Sequence, residues 1–219
     1  MAEIRRHTSA KPWTYEDLDR RQREIAEEIL SVPSAPGALL LSEVAPVITL
    51  GRRASRTELL LPEGILHERG IEVLQTDRGG LATYHGPGQW VLFAVDRLER
   101  LTGDTRGVRR AVEGLLGIAR RVAQTYDPKA EIRGGAETGV WSPSGKLASV
   151  GVHIEKGVLL HGLSLNCFRT ETSFLGIRPC GLDAVADYLF NGISEAAREM
   201  EFQRVCDQLV LETSSTFWR

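Results

Sequence analysis

The stretch at residues 131–166, EIRGGAETGVWSPSGKLASVGVHIEKGVLLHGLSLN, has the pattern of short β-strands joined by tight turns. Turn-forming residues occur at 142–145 (SPSG) and at 155–157 (EKG). The segments before, between and after these turns contain apolar residues. Neighbouring strands joined by such short turns pair in antiparallel fashion. The middle of the chain therefore predicts a mostly antiparallel sheet.

Segments with helical periodicity lie on both sides of this β-region. In the first of them Leu18, Ile25 and Ile29 recur at helical spacing, and Thr14 with Asp17 forms an N-cap pattern. Helices are predicted at residues 11–30, 105–125 and 193–213, and further strands at 38–41, 47–50, 71–76 and 89–98. Hairpin strands with helices at both ends predict an α+β sandwich and not an alternating βαβ fold.

Length and composition indicate an ordinary globular protein. The 219 residues fit a single catalytic domain over 1–219, with 42% hydrophobic and 26% charged residues. A net charge of −2 gives no basic field, so we expect no nucleic-acid partner. No apolar run reaches the roughly 18 residues that span a bilayer, and the N-terminus lacks a secretory pattern. We therefore expect a cytoplasmic protein with no membrane partner.

The three cysteines are Cys167, Cys180 and Cys206. This odd, widely spaced set without a C-x-x-C pair argues against a disulfide framework and against a zinc site. No metal and no cofactor are expected, since phosphate-loop, dinucleotide-binding, zinc-protease and serine-hydrolase motifs are all missing. Cys167 and Cys206 have the settings of small buried hydrophobes. Cys180 differs, because it lies between Pro179 and Gly181 in a rigid turn.

Four short segments contain the residues suited to chemistry: RGGLATYHGPGQ at 78–89, GKLASVGVH at 145–153, HGLSLN at 161–166 and IRPCGL at 177–182. Glycines of the first segment let backbone approach a ligand closely, or else simply form a tight strand connection. Lys146 has small neighbours that leave space for a substrate, although a lone lysine after a turn is usually a solvated surface residue. Cys180 is either a nucleophile presented to a pocket or a small buried side chain.

Together the four segments resemble the lipoyl(octanoyl) transferase family, the octanoyl-acyl carrier protein:protein octanoyltransferases of lipoate biosynthesis. The preceding run PVITLG at 46–51 is also similar to the family's pattern, and the likeness covers roughly residues 38–190. The resemblance implies a two-layer α+β sandwich with a mixed, mostly antiparallel sheet, similar to biotin and lipoate protein ligases.

The resemblance also implies roles for individual residues. Cys180 is the expected acyl-thioester nucleophile, and Lys146 is expected to lower the pKa of that thiol and to act as acid and base. The expected substrate-binding residues form three groups: Arg78, Gly79, Gly80, Leu81, Ala82, Thr83, Tyr84 and His85; Ser149, Val150 and Gly151; Gly162, Leu163 and Ser164.

The implied partners are octanoyl-acyl carrier protein as donor, and lipoyl domains of 2-oxoacid dehydrogenase complexes and the glycine cleavage H protein as acceptors. An acidic carrier could dock on the basic cluster of Arg52, Arg53 and Arg56, although such clusters are commonly just solvated. Two alternatives remain at this stage. One is an ATP-dependent lipoate or biotin protein ligase of the same fold, which would not need Cys180. The other is a non-catalytic acyl-binding module, which would tolerate loss of both Cys180 and Lys146.

Overall fold

The computed structural model describes residues 2–6, 11, 13–178 and 185–218. The helices within these residues are α1 (Tyr15–Ser31), α2 (Glu63–Glu68), α3 (Leu98–Thr102), α4 (Val108–Tyr126) and α5 (Glu195–Phe217). The strands are β1 (Ala2–Arg5), β2 (Ala38–Ser42), β3 (Val47–Leu50), β4 (Glu72–Gln75), β5 (Ala82–His85), β6 (Gln89–Arg97), β7 (Glu131–Arg133), β8 (Gly139–Trp141), β9 (Lys146–Glu155) and β10 (Val158–Asn166).

The strands form a large and a small sheet. The large sheet has seven strands in the order β1-β2-β6-β10-β9-β8-β7, and all of its neighbours pair antiparallel except β1 with β2. The small sheet has the order β4-β3-β5, with β3 parallel to β4 and antiparallel to β5. Both sheets are therefore mixed, and the prediction of a mostly antiparallel α+β fold is confirmed.

Helices cover both faces of the large sheet. Strand β6 shows this by alternation: Val91, Phe93 and Val95 pack in the cluster under α1, whereas Trp90 and Leu92 pack in the cluster under α4 and α5. The expected two layers are thus three in cross-section. The discrepancy arises because the two faces of a strand buried on both sides are equally apolar, so the sequence does not reveal how many helices cover them.

The predicted elements agree with the structure apart from their ends. Helix α1 begins after a capping box, in which the Thr14 hydroxyl accepts from the Asp17 N–H at 3.1 Å and the Asp17 carboxylate accepts from the Thr14 N–H at 3.1 Å. The helix predicted at 105–125 begins at Val108, and the separate short helix α3 precedes it. Gly103 ends α3 in the left-handed conformation, at φ 72°.

The small sheet has its own apolar core. Ile48, Leu66 and Tyr84 pack there with Ile177, whose segment pairs with Leu59. Within the described residues, no helix is both long and apolar enough to cross a membrane. Most of the predicted site residues in the described part of the chain line a cavity between the two sheets.

Candidate active site

A narrow cavity of about 60 Å³ lies between β5 of the small sheet and strands β6, β9 and β10 of the large sheet. Three of the four sequence segments converge on it. The predicted residues that line the cavity are Arg78, Gly80, Leu81, Ala82, Thr83, His85, Lys146, Ser149, Val150, Gly151, Gly162, Leu163 and Ser164. Their role in substrate binding remains a prediction.

Two predicted residues lie away from this cavity. Tyr84 packs against Phe174 at 5.5 Å between ring centroids, and its hydroxyl bonds to that of Thr172 at 2.7 Å. Alternation along β5 explains this position, since Thr83 and His85 face the cavity and Tyr84 faces the core of the small sheet. Gly79 instead donates its N–H to the carbonyl of Val152 at 2.9 Å and so holds the loop against β9.

Cys180 lies outside the described residues, with the rest of the PCGL segment at 179–182. Cys167 and Cys206 are free and buried, as expected for small apolar side chains. Burial raises the pKa of both thiols, that of Cys206 to about 11. Neither thiol is therefore suited to act as a nucleophile.

Lys146 is buried at the start of β9, with 2% of its surface exposed. Its Nζ donates to the carbonyl of Thr138 at 2.8 Å and lies 5.4 Å from the centre of the Trp141 ring. A Cβ on Gly139 would lie 2.4 Å from Cε of this lysine, so the glycine makes room for the side chain. The lysine is thus a held, inward-facing side chain and not a solvated surface residue.

The chain that follows the PCGL segment pairs with Lys146 itself. The Lys146 N–H donates to the carbonyl of Val185, and the Asp187 N–H donates to the carbonyl of Lys146, each at 2.9 Å. Asn166 adds bonds from Nδ2 to the Lys146 and Asp187 carbonyls, both at 3.1 Å. A Cβ on Gly145 would come within 2.4 Å of the Val185 oxygen, so this glycine permits the pairing.

A buried hydrogen-bond chain links His85 to this arrangement. Nε2 of Gln89 donates to Oδ1 of Asn166 at 2.8 Å and to the carbonyl of Tyr84 at 3.2 Å. The Gln89 Oε1 then accepts from Nδ1 of His85 at 2.7 Å. Burial and the nearby Arg78 guanidinium lower the pKa of His85 to about 3, so its imidazole is neutral at physiological pH.

Arg78 holds the glycine loop in place. Its Nη2 donates to the carbonyl of Thr49 at 2.6 Å, and its Nη1 donates to the carbonyl of Gly79 at 3.1 Å. A buried guanidinium bonded to backbone carbonyls on both sides fixes the loop relative to β3. The arginine therefore supports the shape of the cavity wall as well as lining it.

Five residues that the sequence did not identify as site residues also line the cavity. They are Tyr15, Val91, Phe93, Thr138 and His161. The histidine was visible in the HGLSLN segment, and the alternation of β6 could have indicated its two apolar residues. No sequence signal connects Tyr15 or Thr138 to the motifs, because only tertiary structure brings them together.

His161 is held by three polar side chains. Its ring Nε2 donates to Oδ1 of Asp77 at 2.6 Å, and its backbone N–H donates to Oε1 of Gln22 at 2.7 Å. The hydroxyl of Tyr15 lies 3.2 Å from its Nδ1. The hydrogen bond from His161, assisted by the Arg23 guanidinium, holds the pKa of Asp77 well below its usual range.

Asp19, Asp77 and His161 offer donor atoms within 4.8 Å of one another, a grouping that could in principle hold a cation. The Arg23 guanidinium, however, pairs with Asp19 at 2.8 Å and with Asp77 at 3.1 Å. A positive group already lies between the carboxylates, so the cluster acts as a salt-bridge network.

The chain is similar to known proteins in both sequence and fold. The family described as lipoyl protein ligase A/B catalytic domain matches residues 19–213, and the chain belongs to this family. Among curated relatives, the octanoyltransferase of Magnetococcus marinus is 43% identical over 65% of this chain and 62% of its own length. The chain therefore spans less than two thirds of that relative.

Other relatives match over longer regions. The octanoyltransferase of Nitratidesulfovibrio vulgaris is 38% identical over 82% of this chain and 80% of its own length. That of Koribacter versatilis is 35% identical over 80% of this chain and 67% of its own.

Solved structures show the same fold at low identity. A putative lipoate protein ligase from T. acidophilum has a TM-score of 0.67 at 14% identity, covering 99% of this chain and 85% of that one. A lipoate-protein ligase A bound with ATP also has a TM-score of 0.67, at 12% identity, covering 99% of this chain and 83% of that one.

Proposed function

We propose that this chain is an octanoyltransferase, which moves an octanoyl group from acyl carrier protein to a lysine of lipoyl domains through a thioester on Cys180. Lipoyl domains of 2-oxoacid dehydrogenase complexes and the glycine cleavage H protein are the proposed acceptors. The observation that carries the proposal is a buried lysine at one end of a narrow cavity walled by three segments of the transferase pattern.

The position of the segment that follows Cys180 in the chain supports the proposed pairing of Cys180 with Lys146. Val185 is hydrogen-bonded to Lys146 and lies five positions after Cys180. Five residues span at most roughly 18 Å when fully extended, and a chain that turns spans less. This limit on chain length supports the proposed pairing of Cys180 with Lys146.

In the first half-reaction the Cys180 thiolate attacks the carbonyl carbon of the donor thioester. A free cysteine titrates near pH ~8.5, and a nearby ammonium favours the thiolate form. The bond between acyl carbon and donor sulfur breaks, and the departing thiolate takes a proton from Lys146. Exchange of one thioester for another is nearly balanced, so this half needs no nucleotide.

In the second half-reaction the amine of the acceptor lysine attacks the acyl-Cys180 thioester. Lys146, now neutral, accepts the proton that the amine loses, and Cys180 leaves as a thiolate. The products are an amide on the acceptor and the original ion pair in the enzyme. Conversion of a thioester to an amide is downhill, and the scheme implies ping-pong kinetics.

Donor docking is proposed at the exposed basic cluster Arg52, Arg53 and Arg56, which follows β3. Arg52 lies close to the glycine loop, since its N–H donates to the carbonyl of Arg78 at 2.9 Å. An acidic carrier protein would be attracted to positive charge at this position.

A lipoate ligase of the same fold is the second candidate, but it has less support. The solved ligases are 12–14% identical to this chain, and likeness at that level concerns the fold alone. The three curated octanoyltransferases named above are 35–43% identical.

One assay separates the two candidates. A purified lipoyl domain is incubated with the protein and either octanoyl-loaded acyl carrier protein without ATP, or free octanoate with ATP. Octanoylation of the domain only in the first mixture is the expected result. Octanoylation only in the second mixture would establish the ligase instead.

A further inference from the structure

Tyr15 separates two cavities. It lines the narrow cavity described above, and it also lines an open groove of about 1050 Å³ between α1 and the β4 side of the small sheet. Tyr15 is the one described residue that belongs to the lining of both. Only 2% of its surface is exposed, so the ring forms a closed wall between them.

The ring is fixed from several sides. It stacks on the imidazole of His85, with 5.2 Å between centroids and 17° between planes, and meets the edge of Phe93 at 6.0 Å. Its hydroxyl lies 3.2 Å from Nδ1 of His161. Because Tyr15 lies between Thr14 and Asp17, the two residues of the α1 capping box, the backbone beneath the ring is fixed as well.

His161 supports this wall at a strained backbone position. Its φ is 60°, which is uncommon for a residue other than glycine, and it lies within β10. Leu159 and Leu163, two positions to either side, pack in the cluster under α4. The His161 side chain instead reaches Tyr15 in the cluster under α1, so the strained backbone turns it toward the cavity.

The two ends of the cavity are far apart along the sheet. Lys146 begins β9, and Val152, which is paired with His161, lies six residues further along this strand. Six residues of strand span roughly 20 Å. The apolar side chains of Phe93, Val150 and Leu163 line the narrow cavity, which suits a slender, unbranched acyl chain.

We propose that Tyr15 is a specificity-determining residue that forms the end wall of the acyl pocket and limits the length of the chain transferred. The inference rests on the proposed function, which places the thioester at the Lys146 end. The methyl end of the chain then meets the ring of Tyr15. A longer chain is excluded because the groove behind the ring is closed off.

The test compares acyl carrier protein loaded with octanoyl or with dodecanoyl groups, using a lipoyl domain as acceptor. The variants are Tyr15→Ala, which opens the wall, Tyr15→Phe, which keeps it, and Tyr126→Ala as a matched control. Tyr126 packs against Phe190 in the cluster under α4, away from the pocket. We expect the ratio of kcat/KM for dodecanoyl over octanoyl to rise by about tenfold or more in Tyr15→Ala. The other two variants keep the wild-type ratio.

An unchanged ratio in folded Tyr15→Ala would overturn the proposal, and so would an equal rise in Tyr15→Phe. If the alanine variant does not fold, Tyr15→Leu shortens the wall with less loss of packing and is judged by the same ratio. Failure of the proposed function looks different: the wild-type protein would then transfer no octanoyl group at all.

Discussion

The buried position of Lys146 shapes the chemistry of this single residue. An ammonium group taken from water needs compensating partners, because an unpaired buried charge costs several kcal/mol or more. The Thr138 carbonyl and the Trp141 ring supply part of this compensation. In the proposed mechanism, the lysine held in this way exchanges a proton with the reacting groups in the cavity.

Lys146→Gln keeps the approximate length of the side chain and removes its charge and its proton. We expect octanoyl transfer to fall by about 10²–10⁴-fold, the usual contribution of a positioned acid or base. Because Cys180 would lose the ammonium that favours its thiolate, the pH profile of acyl-enzyme formation should also move to higher pH. Rapid-quench measurements across pH check both effects, with exposed Lys129→Gln as the control. An unchanged pH profile would contradict the role given to Lys146.

His85 makes the stability of the protein depend on pH. Its pKa in the folded state is lowered to about 3, whereas an unfolded histidine titrates near ~6.5. The unfolded chain therefore binds an extra proton between these two values. The free energy of unfolding should fall by up to about 1.4 kcal/mol per unit as pH drops below ~6.5, and this contribution is fully present above that pH.

Urea unfolding at several pH values between about 7 and 5 checks this expectation. His85→Gln should show a shallower dependence than the wild type. His67→Gln serves as the matched control, since this histidine is exposed on α2. If the free energy of unfolding changes equally with pH in wild type and His85→Gln, the burial of His85 does not cause the pH dependence of stability.

Part of the site could be predicted at this scale. Lys146 and the glycine-rich residues stand in short contiguous segments, so their grouping is visible in the sequence. Tyr15 and His161 are 146 positions apart and meet only through the packing of α1 on β10. Such a pair has no local signature, because it depends on the register of strands and on a strained backbone angle.

At the scale of elements, the start of β9 determines where the chain after the PCGL segment lies. Lys146 pairs with this chain on both its N–H and its carbonyl, and Ser142 bonds to the carboxylate of Asp187. Gly145 is required at the point of closest approach. The turn before β9 therefore positions both the lysine and the segment that leads away from Cys180.

Gly145→Ala should disturb this pairing, because the new Cβ would lie 2.4 Å from the backbone oxygen of Val185. We expect octanoyl transfer to fall by about tenfold or more, since small displacements of catalytic groups cost much of the rate. Gly134→Ala is the matched control, as nothing lies within 4 Å of the Cβ it would gain. Steady-state assays on both folded variants make the comparison, and equal activity would show that the pairing does not matter for transfer.

The elements themselves were largely predictable, and their arrangement was not. Helical spacing and turn residues mark α1, α4 and the hairpin of β9 and β10 because these signals are local. The pairing of β6 with β10 joins residues separated by about seventy positions, such as Trp90 and Leu165. Neither the placement of α1 and α4 on opposite faces nor the resulting third layer follows from periodicity alone.

At the scale of the whole molecule, the proposed reaction requires two protein partners to reach one pocket in turn. The net charge of −2 provides no overall attraction for an acidic carrier. A local basic surface would therefore have to steer the donor, and Arg52, Arg53 and Arg56 are exposed near the glycine loop.

Reversing the charge of these three arginines to glutamate should raise the KM for octanoyl-loaded carrier protein with little change in kcat. Exposed charges at an interface mainly affect encounter, and the effect should shrink as salt is added. The same reversal at Arg109, Arg110 and Arg120, which are exposed on α4, is the matched control. An equal KM for wild type and the first variant would exclude this surface as the docking site.

In the proposed mechanism, Cys180 carries the acyl group during transfer. The most direct measurement is the intact mass of the protein after mixing with octanoyl-loaded acyl carrier protein in the absence of ATP. We predict a mass increase of one octanoyl group, which neutral hydroxylamine removes and which Cys180→Ala does not acquire. Transfer of octanoyl to a lipoyl domain by wild-type protein that never shows this adduct, or by Cys180→Ala, would contradict the account.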